Sequence, residues 1–332
     1  MAEICCERVL EHSELELVTP FDKRELKVAF HDIDGTFSLI REWEPVMSAT
    51  LSYVIQNGMP KSIDVAVEYV CGHISELGTD EVDQFCCESA GLSALTQMEW
   101  ALRRSLQEGT LSDAPVCGDT AALESNDEII RRIWAGDEEY ERLEVSPERQ
   151  EYMTKRTPDL FRLYEQVLYK ACRDRNLAAA RVDPEPFLVN GGIQFLEHLR
   201  NRGITNYFVT GSVVEHDQQG HPHGGIFEEV TSLGIPIGPG ALVEDICGST
   251  YDEKKPKPQV MTDLAVKLSV SGEHVLVVGD GRSEIAAGKK LGAICISRLN
   301  KQSVRQRQIH QELGTNVIVD DYDKEALLAM IR

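Results

Sequence analysis

The chain is predicted to fold as a doubly wound α/β sheet with a mostly helical module inserted after its first core strand. Three features point there. The stretches "LKVAFHDIDGT", "TNYFVTGS" and "EHVLVVGDGRSE" each join a β-rich apolar run to a polar turn. Runs that are apolar nearly throughout, rather than alternating, belong to strands covered on both faces, as in parallel sheets. The helical patterns "GGIQFLEHLRNRG" and "PKPQVMTDLAVKLSV" precede the second and third of these runs, which is the alternation of right-handed crossovers. Between about residues 37 and 187 comparable strand signals cease and amphipathic helices take over.

Taken from the N-terminus, residues 1–25 are an acidic extension that could form an extra helix or stay loose. The first core strand then runs into Asp32. In the insert, Ile63, Val67, Val70, Ile74 and Leu77 follow helical spacing, as do Leu160, Tyr164, Val167, Leu168 and Ala171. Ser125 and Glu128 have capping-box spacing ahead of Ile129 and Ile130. Thr157 is placed as an N-cap with Pro158 at the first helical position. "VDPEPF" reads as the exit linker. Two more strands, "GAICIS" and "TNVIVDD", and a closing helix, "DKEALLAMIR", complete the core. The division is therefore a core of residues 1–36 and 188–332 and a helical insert of residues 37–187.

Composition limits the function. With 332 residues, 42% of them hydrophobic, the chain has material for one large or two ordinary domains. A formal net charge of −21 argues against nucleic-acid or anionic-membrane binding, both of which reward Lys and Arg. A small anionic substrate in a locally positive site stays open. No apolar run reaches membrane-spanning length, and "MAEICCERVLEHSELELVTP" lacks the basic start of a signal peptide. Nine scattered cysteines without a C-x-x-C spacing fit reduced thiols and a cytoplasmic setting.

Ligands of open parallel sheets bind beyond the carboxyl ends of the strands. Asp32, Asp34, Thr210 and Asp280 all fall there, each just after an apolar run. Two carboxylates flanking one isoleucine at a strand end are costly unless a cation or a reaction uses them. The chemistry that needs this set is phosphoryl transfer through a covalent aspartyl intermediate. Asp32 would attack phosphorus, and Asp34, swung over the leaving group by the Gly-Thr turn, would serve as acid and then as base for water. Mg2+ suits hard oxygen ligands from Asp32, the main-chain carbonyl of Asp34, and Asp280. Thr210 and the amides of Gly211 and Ser212 would hold phosphate oxygens, and Lys255 would neutralise developing charge, with Lys257 a competitor in the same Lys-Pro run. Glu284, one helical turn beyond Asp280, would hold a metal-bound water or orient the lysine. Arg41, just past the catalytic turn, is a candidate substrate contact.

D-x-D-G-T at 32–36, apolar-V-T-G at 208–211, K-P-x-P at 255–258 and G-D-x-x-x-E at 279–284 resemble, in the right order, the four motifs of the haloacid dehalogenase superfamily. The resemblance covers residues 26–36 and 188–332. It implies a Rossmann-like core, Asp32 as nucleophile, Asp34 as acid/base, Thr210 and Lys255 as phosphate ligands, and Asp32, Asp34, Asp280 and Glu284 around Mg2+. Glu284 stands where many members carry Asp. The insert is similar to the superfamily's C1 cap, a helical lid. An acid at position 34 separates the chain from the dehalogenases and phosphonoacetaldehyde hydrolases of that superfamily. It implies hydrolysis of a small phosphorylated metabolite, with a phosphomutase or a catalytically silent binding protein as alternatives, in a monomer or homodimer.

Other polar groups have plainer readings. His216, His221 and His223 could suggest zinc, but "EHDQQGHPHGG" reads first as an exposed loop. Cys86 and Cys87 belong to helix packing. Gln97, Trp100, Arg103 and Arg104 could read the substrate, against the simpler reading of a helix with one apolar face and a solvated polar side.

Overall fold

Val28, Ala29, Phe30 and His31 form a strand buried along its whole length, and the rest of the sheet is arranged about it. The computed structural model describes residues 2–5, 15–40, 43–89, 92–116, 118–137 and 139–332. Its strands are β1 (Ala2–Ile4), β2 (Glu16–Leu17), β3 (Arg24–Leu26), β4 (Val28–His31), β5 (Thr205–Val213), β6 (Glu215–His216), β7 (Pro222–His223), β8 (Ile246–Ser249), β9 (Val275–Gly279), β10 (Ile294–Arg298) and β11 (Val317–Val319). Its helices are α1 (Trp43–Asn57), α2 (Ile63–Gly72), α3 (Ile74–Leu77), α4 (Asp80–Glu88), α5 (Ala94–Glu108), α6 (Thr120–Ala135), α7 (Pro147–Leu168), α8 (Asp174–Val182), α9 (Gly192–Asn201), α10 (Gly225–Ser232), α11 (Lys257–Lys267), α12 (Arg282–Leu291), α13 (Val304–Glu312) and α14 (Glu325–Met330).

The main sheet has the order β2-β11-β10-β9-β4-β5-β8. All its pairings are parallel except that of β2 with β11. From β4 the chain winds to β5 and β8 on one side, then returns through β9, β10 and β11 on the other. That reversal opens a crevice at the carboxyl ends of β4 and β9, where sheets of this kind bind ligands. Successive residues serve opposite faces, as strand geometry requires. Val28, Phe30, Val275 and Val277 pack in one apolar layer, and Ala29, Leu276 and Val278 in the other. Burying both faces is why the sequence reads as unbroken apolar runs.

The chain divides into two units. The sheet unit is Met1–Ile40, Leu177–Thr250 and Lys257–Arg332; the helical unit is Arg41–Asn176 and Tyr251–Pro256. The helical unit is thus narrower than residues 37–187. Phe37, Ile40, Leu177 and Ala180 pack in the apolar core of the sheet unit, and apolar packing sets the boundaries. It also includes a six-residue piece from the Lys-Pro region that no periodicity announces.

The N-terminal extension, expected as helix or loose chain, contributes strands. β1 pairs antiparallel with β3, and Glu3 and Arg332 exchange two backbone hydrogen bonds of 2.8 Å. β2 covers the edge of β11, which removes an exposed strand edge. β8, "ICGS", is too short and small-residued for a strand signal.

Helix boundaries in the insert differ from expectation. α7 starts at Pro147, capped by Ser146, whose side chain accepts from the Arg149 amide, and runs through Pro158. Thr157 is buried mid-helix and its hydroxyl donates to the Met153 carbonyl at 2.7 Å. α6 starts at Thr120 under an Asp119 cap, so Ser125 lies inside it and bonds the Leu143 carbonyl. The real caps lie upstream, about three turns before Thr157 and less than two before Ser125, where sequence alone offers several equivalent Ser, Thr and Asp positions.

Candidate active site

Parallel register delivers the first acid. His31 lies opposite Phe208 of β5 and Val278 of β9, and the Asp32 amide donates to the Val278 carbonyl at 2.9 Å. Asp32 therefore leaves the sheet beside Val278 of β9, two residues before Asp280. His31 pins this strand from below. Asn206 donates through Nδ2 to the carbonyls of Leu196 and Leu242, so its Oδ1 accepts from His31 Nε2 at 3.0 Å. Burial pushes the His31 pKa down to about 4, against the raising effect of Asn206, and the ring stays neutral at pH 7.

The turn after Asp32 is fixed by close approaches. Asp34 is half-buried and bridges to Ser38. Gly35 has φ +71°, and a Cβ there would lie 2.1 Å from Asp280 Oδ2. Only glycine satisfies both the left-handed backbone and the contact. Thr36 Oγ1 donates to Asp280 Oδ1 at 3.0 Å. Two residues that sequence reading did not single out hold the turn from behind. Arg298 Nη1 donates to the Gly35 carbonyl at 2.9 Å, and the Tyr322 hydroxyl donates to the Thr36 carbonyl at 3.0 Å. Both lie at or just beyond the carboxyl ends of β10 and β11, so the strand-then-polar-turn pattern could have found them.

Asp32, Asp280 and Glu284 bring carboxylate oxygens within 4.8 Å of one another. One ammonium faces them. Lys257 Nζ donates to Asp32 Oδ1 at 2.8 Å and to Glu284 Oε2 at 3.1 Å. The other Glu284 oxygen accepts the Gly281 amide at 2.5 Å, so Glu284 also caps α12. The lysine beside Asp32 is thus Lys257 and not Lys255. α11 begins at Lys257 and turns its side chain inward, whereas Lys255 lies in the segment grouped with the helical unit and pairs with Glu253 at 3.3 Å. The competing Lys-Pro spacings made both readable.

Three carboxylates against one ammonium leave the cluster strongly negative. Burial, with the charges of Asp32 and Glu284, pushes the Asp280 carboxyl well above the ordinary range, while Lys257 and Thr36 oppose the rise. Burial likewise raises Glu284. A divalent cation with hard oxygen preference would relieve this strain, and the donor set suits Mg2+. Among the described residues this is the one group of three or more potential ligands close enough to hold an ion.

Thr210 is buried in β5 and its Oγ1 accepts the Ser212 amide at 3.1 Å. Gly211 and Ser212 are half-buried beside it. Arg41 lies outside the described residues. The histidine loop forms a small hairpin in which His216, His221 and His223 pair separately with Asp245, Asp217 and Glu215. Cys86 is buried and Cys87 exposed on α4. The insert candidates are engaged within their own unit. Gln97 donates to Ser89, Trp100 stacks on Phe85 at 3.8 Å, Arg103 pairs with Glu99 and Glu144, and Arg104 with Glu81.

A protein-family model for haloacid dehalogenase-like hydrolases matches residues 110–292, more than half of the chain. The match includes Thr210, Lys257, Asp280 and Glu284 and begins after Asp32. No curated protein matches the chain. Solved structures resemble it distantly. β-Phosphoglucomutase from Clostridium difficile is 11% identical, covering 90% of this chain and 92% of its own, at a TM-score of 0.43. A predicted phosphatase from Clostridium acetobutylicum is 12% identical, covering 91% and 97%, at 0.46. A hydrolase from Pseudomonas syringae is 13% identical, covering 89% and 94%, at 0.41. No helix among the described residues is long and apolar enough to cross a membrane.

Proposed function

Because this chain belongs to the haloacid dehalogenase-like hydrolases, we propose that it is a phosphomonoester hydrolase that works through an aspartyl-phosphate on Asp32 and requires Mg2+. The observation that supports it most is the Lys257 ammonium 2.8 Å from Asp32 Oδ1, beside the carboxylates of Asp280 and Glu284. An ionised, oriented carboxylate backed by a fixed positive charge is what attack on a phosphate ester needs.

Asp32 attacks phosphorus and the bond to the ester oxygen breaks. Asp34 gives its proton to the departing alkoxide, then takes one from the water that attacks the acyl phosphate, releasing inorganic phosphate and regenerating Asp32. Thr210, whose oxygen already accepts from Ser212, keeps its own O–H to donate to a phosphate oxygen, alongside the Gly211 amide. Lys257 neutralises charge on the equatorial oxygens, and Glu284 keeps it in place. Asp32, Asp280, Glu284 and the Asp34 carbonyl would hold Mg2+, which supplies positive charge between carboxylate and phosphate. The helical unit is read as a C1 cap that excludes bulk water over a small phosphorylated metabolite, and Arg41 as a contact to that substrate.

The test is a screen of phosphate esters with Asp32→Asn as the control. Wild-type protein with Mg2+ should release inorganic phosphate, and the variant should lose turnover while keeping its circular dichroism spectrum. Undiminished release by the variant would sink the mechanism, and an isomer formed in place of free phosphate would indicate a mutase.

A further inference from the structure

Behind the Asp32 turn, two side chains from far along the sequence end on main-chain oxygens. Arg298, at the end of β10, donates through Nη1 to the Gly35 carbonyl at 2.9 Å and through Nε to the Asp320 carbonyl at 3.0 Å. The Tyr322 hydroxyl donates to the Thr36 carbonyl at 3.0 Å. Burial holds that phenol well above its ordinary pKa, so it stays a donor. Its ring stacks between Phe37 and Phe195, with ring centres 4.9 Å apart on both sides. Its amide donates to the Asn190 carbonyl at 2.9 Å. All of these residues belong to the sheet unit.

The turn's own amides close on two oxygens. The Ile33 carbonyl accepts the amides of Thr36, Phe37 and Ser38 at 3.2, 2.8 and 2.9 Å, and the Ser38 carbonyl accepts the Gly35 amide at 2.9 Å. Asp34 sits between these closures. The Gly35 and Thr36 carbonyls take their donors from outside the turn. Gly35 directly follows Asp34 and, lacking a Cβ, has the widest choice of backbone angles. A fixed guanidinium on its carbonyl removes that freedom. Guanidinium nitrogens form a rigid fork, so the bond to the Asp320 carbonyl also aims the one to Gly35. A main-chain carbonyl that loses its donor here must turn toward water or another donor, and the backbone at Asp34 and Gly35 would move with it.

We propose that Arg298 and Tyr322 are positioning residues: by holding the Gly35 and Thr36 carbonyls they aim the Asp34 carboxyl at the leaving group. The inference rests on the phosphatase reading of the Asp32 site, in which Asp34 protonates the departing oxygen. Asp32 itself is held separately, through its amide on the Val278 carbonyl, so attack on phosphorus does not depend on the two residues. Leaving groups separate this role from plain stabilisation. A p-nitrophenolate departs without a proton from the protein, whereas an alkoxide needs one. A misaimed acid therefore slows alkyl phosphates most, and a merely weakened fold slows both esters alike.

The experiment compares Tyr322→Phe, Arg298→Met and, as a stability control in the same sheet, Ile296→Val. Phenylalanine keeps the ring stack and removes only the hydroxyl, so Tyr322→Phe decides the outcome if Arg298→Met does not fold. kcat/KM is measured with Mg2+ for p-nitrophenyl phosphate and for an alkyl phosphate taken from the screen, and hydrogen exchange follows the peptide covering residues 29–40. Tyr322→Phe and Arg298→Met should each lower kcat/KM for the alkyl ester by about tenfold or more, and for the p-nitrophenyl ester by less than about threefold. Ile296→Val should lower Tm by a similar few degrees and leave the ratio of the two rates at its wild-type value. A wild-type ratio in Tyr322→Phe would overturn the proposal. A wild-type chain that hydrolyses no phosphate ester would instead overturn the functional reading. Exchange then decides whether the two residues hold the turn: about tenfold faster exchange in Tyr322→Phe than in Ile296→Val supports it, and equal exchange overturns it.

Discussion

Lys257 and Asp32 form a buried ion pair, Nζ to Oδ1 at 2.8 Å, with side chains 3% and 9% exposed. The pair joins the start of α11 to the end of β4 across the carboxyl edge of the sheet. Lys257→Met should therefore lower kcat by about 10²–10³, the usual loss for a fixed charge at the reacting centre. Lys255→Met should stay within about threefold. Steady-state kinetics on one phosphate ester separates the two, and the reverse ranking would return the role to Lys255.

The carboxylate cluster predicts a metal effect visible without turnover. Mg2+ bound to the folded form alone stabilises it by about 2.7 kcal/mol at a hundredfold excess over Kd. Thermal unfolding of wild type should shift upward with Mg2+, and EDTA should abolish activity. Asp280→Asn should show neither the shift nor the activity. A metal shift in that variant equal to wild type would place the ion elsewhere.

At Gly35 the left-handed φ of +71° and the 2.1 Å approach of a Cβ to Asp280 Oδ2 act together. Alanine in that backbone region costs about 1–2 kcal/mol and must also displace Asp280. Gly35→Ala should lose about 10²-fold or more in kcat, since positioning errors near 1 Å have that effect, with a Tm drop of only a few degrees. A variant with full activity would show that the Asp280 contact is dispensable.

Glu99 gives the helical unit a pH signature. Burial alone would raise its carboxyl, but Lys254 and Arg103 hold it at about 2, below the ordinary 4.5. A depressed folded-state pKa contributes stability that is full above pH 4.5 and is lost as pH falls through about 2. Across that window wild type should lose about 3 kcal/mol more than Glu99→Gln. Urea midpoints at pH 5, 3.5 and 2 measure the difference, and parallel curves for the two proteins would contradict the pairing.

The acids of the site were legible because each ends an apolar run, and a parallel sheet sends all such ends to one edge. Glu284 was legible as one helical turn beyond Asp280. Lys257 was readable only as one of two spacings, since nothing local says which lysine a helix start turns inward. Arg298 and Tyr322 stand at or just beyond strand ends and so were open to the same pattern, but their bonds go to backbone carbonyls of the turn, which no residue type announces. Arg103 looked like a substrate reader or a solvated side chain and is instead buried with Glu99 and Glu144, because a partner cation from residue 254 makes that burial tolerable.

By itself the sequence determined the α/β class, the inserted helices and the strand-end acids, because burial periodicity and strand-end placement are local properties written residue by residue. Tertiary structure alone decided which lysine meets Asp32 and which unit holds Tyr251–Pro256. Those outcomes depend on charge balance and close contact between residues far apart in the chain, and no window of sequence contains both partners.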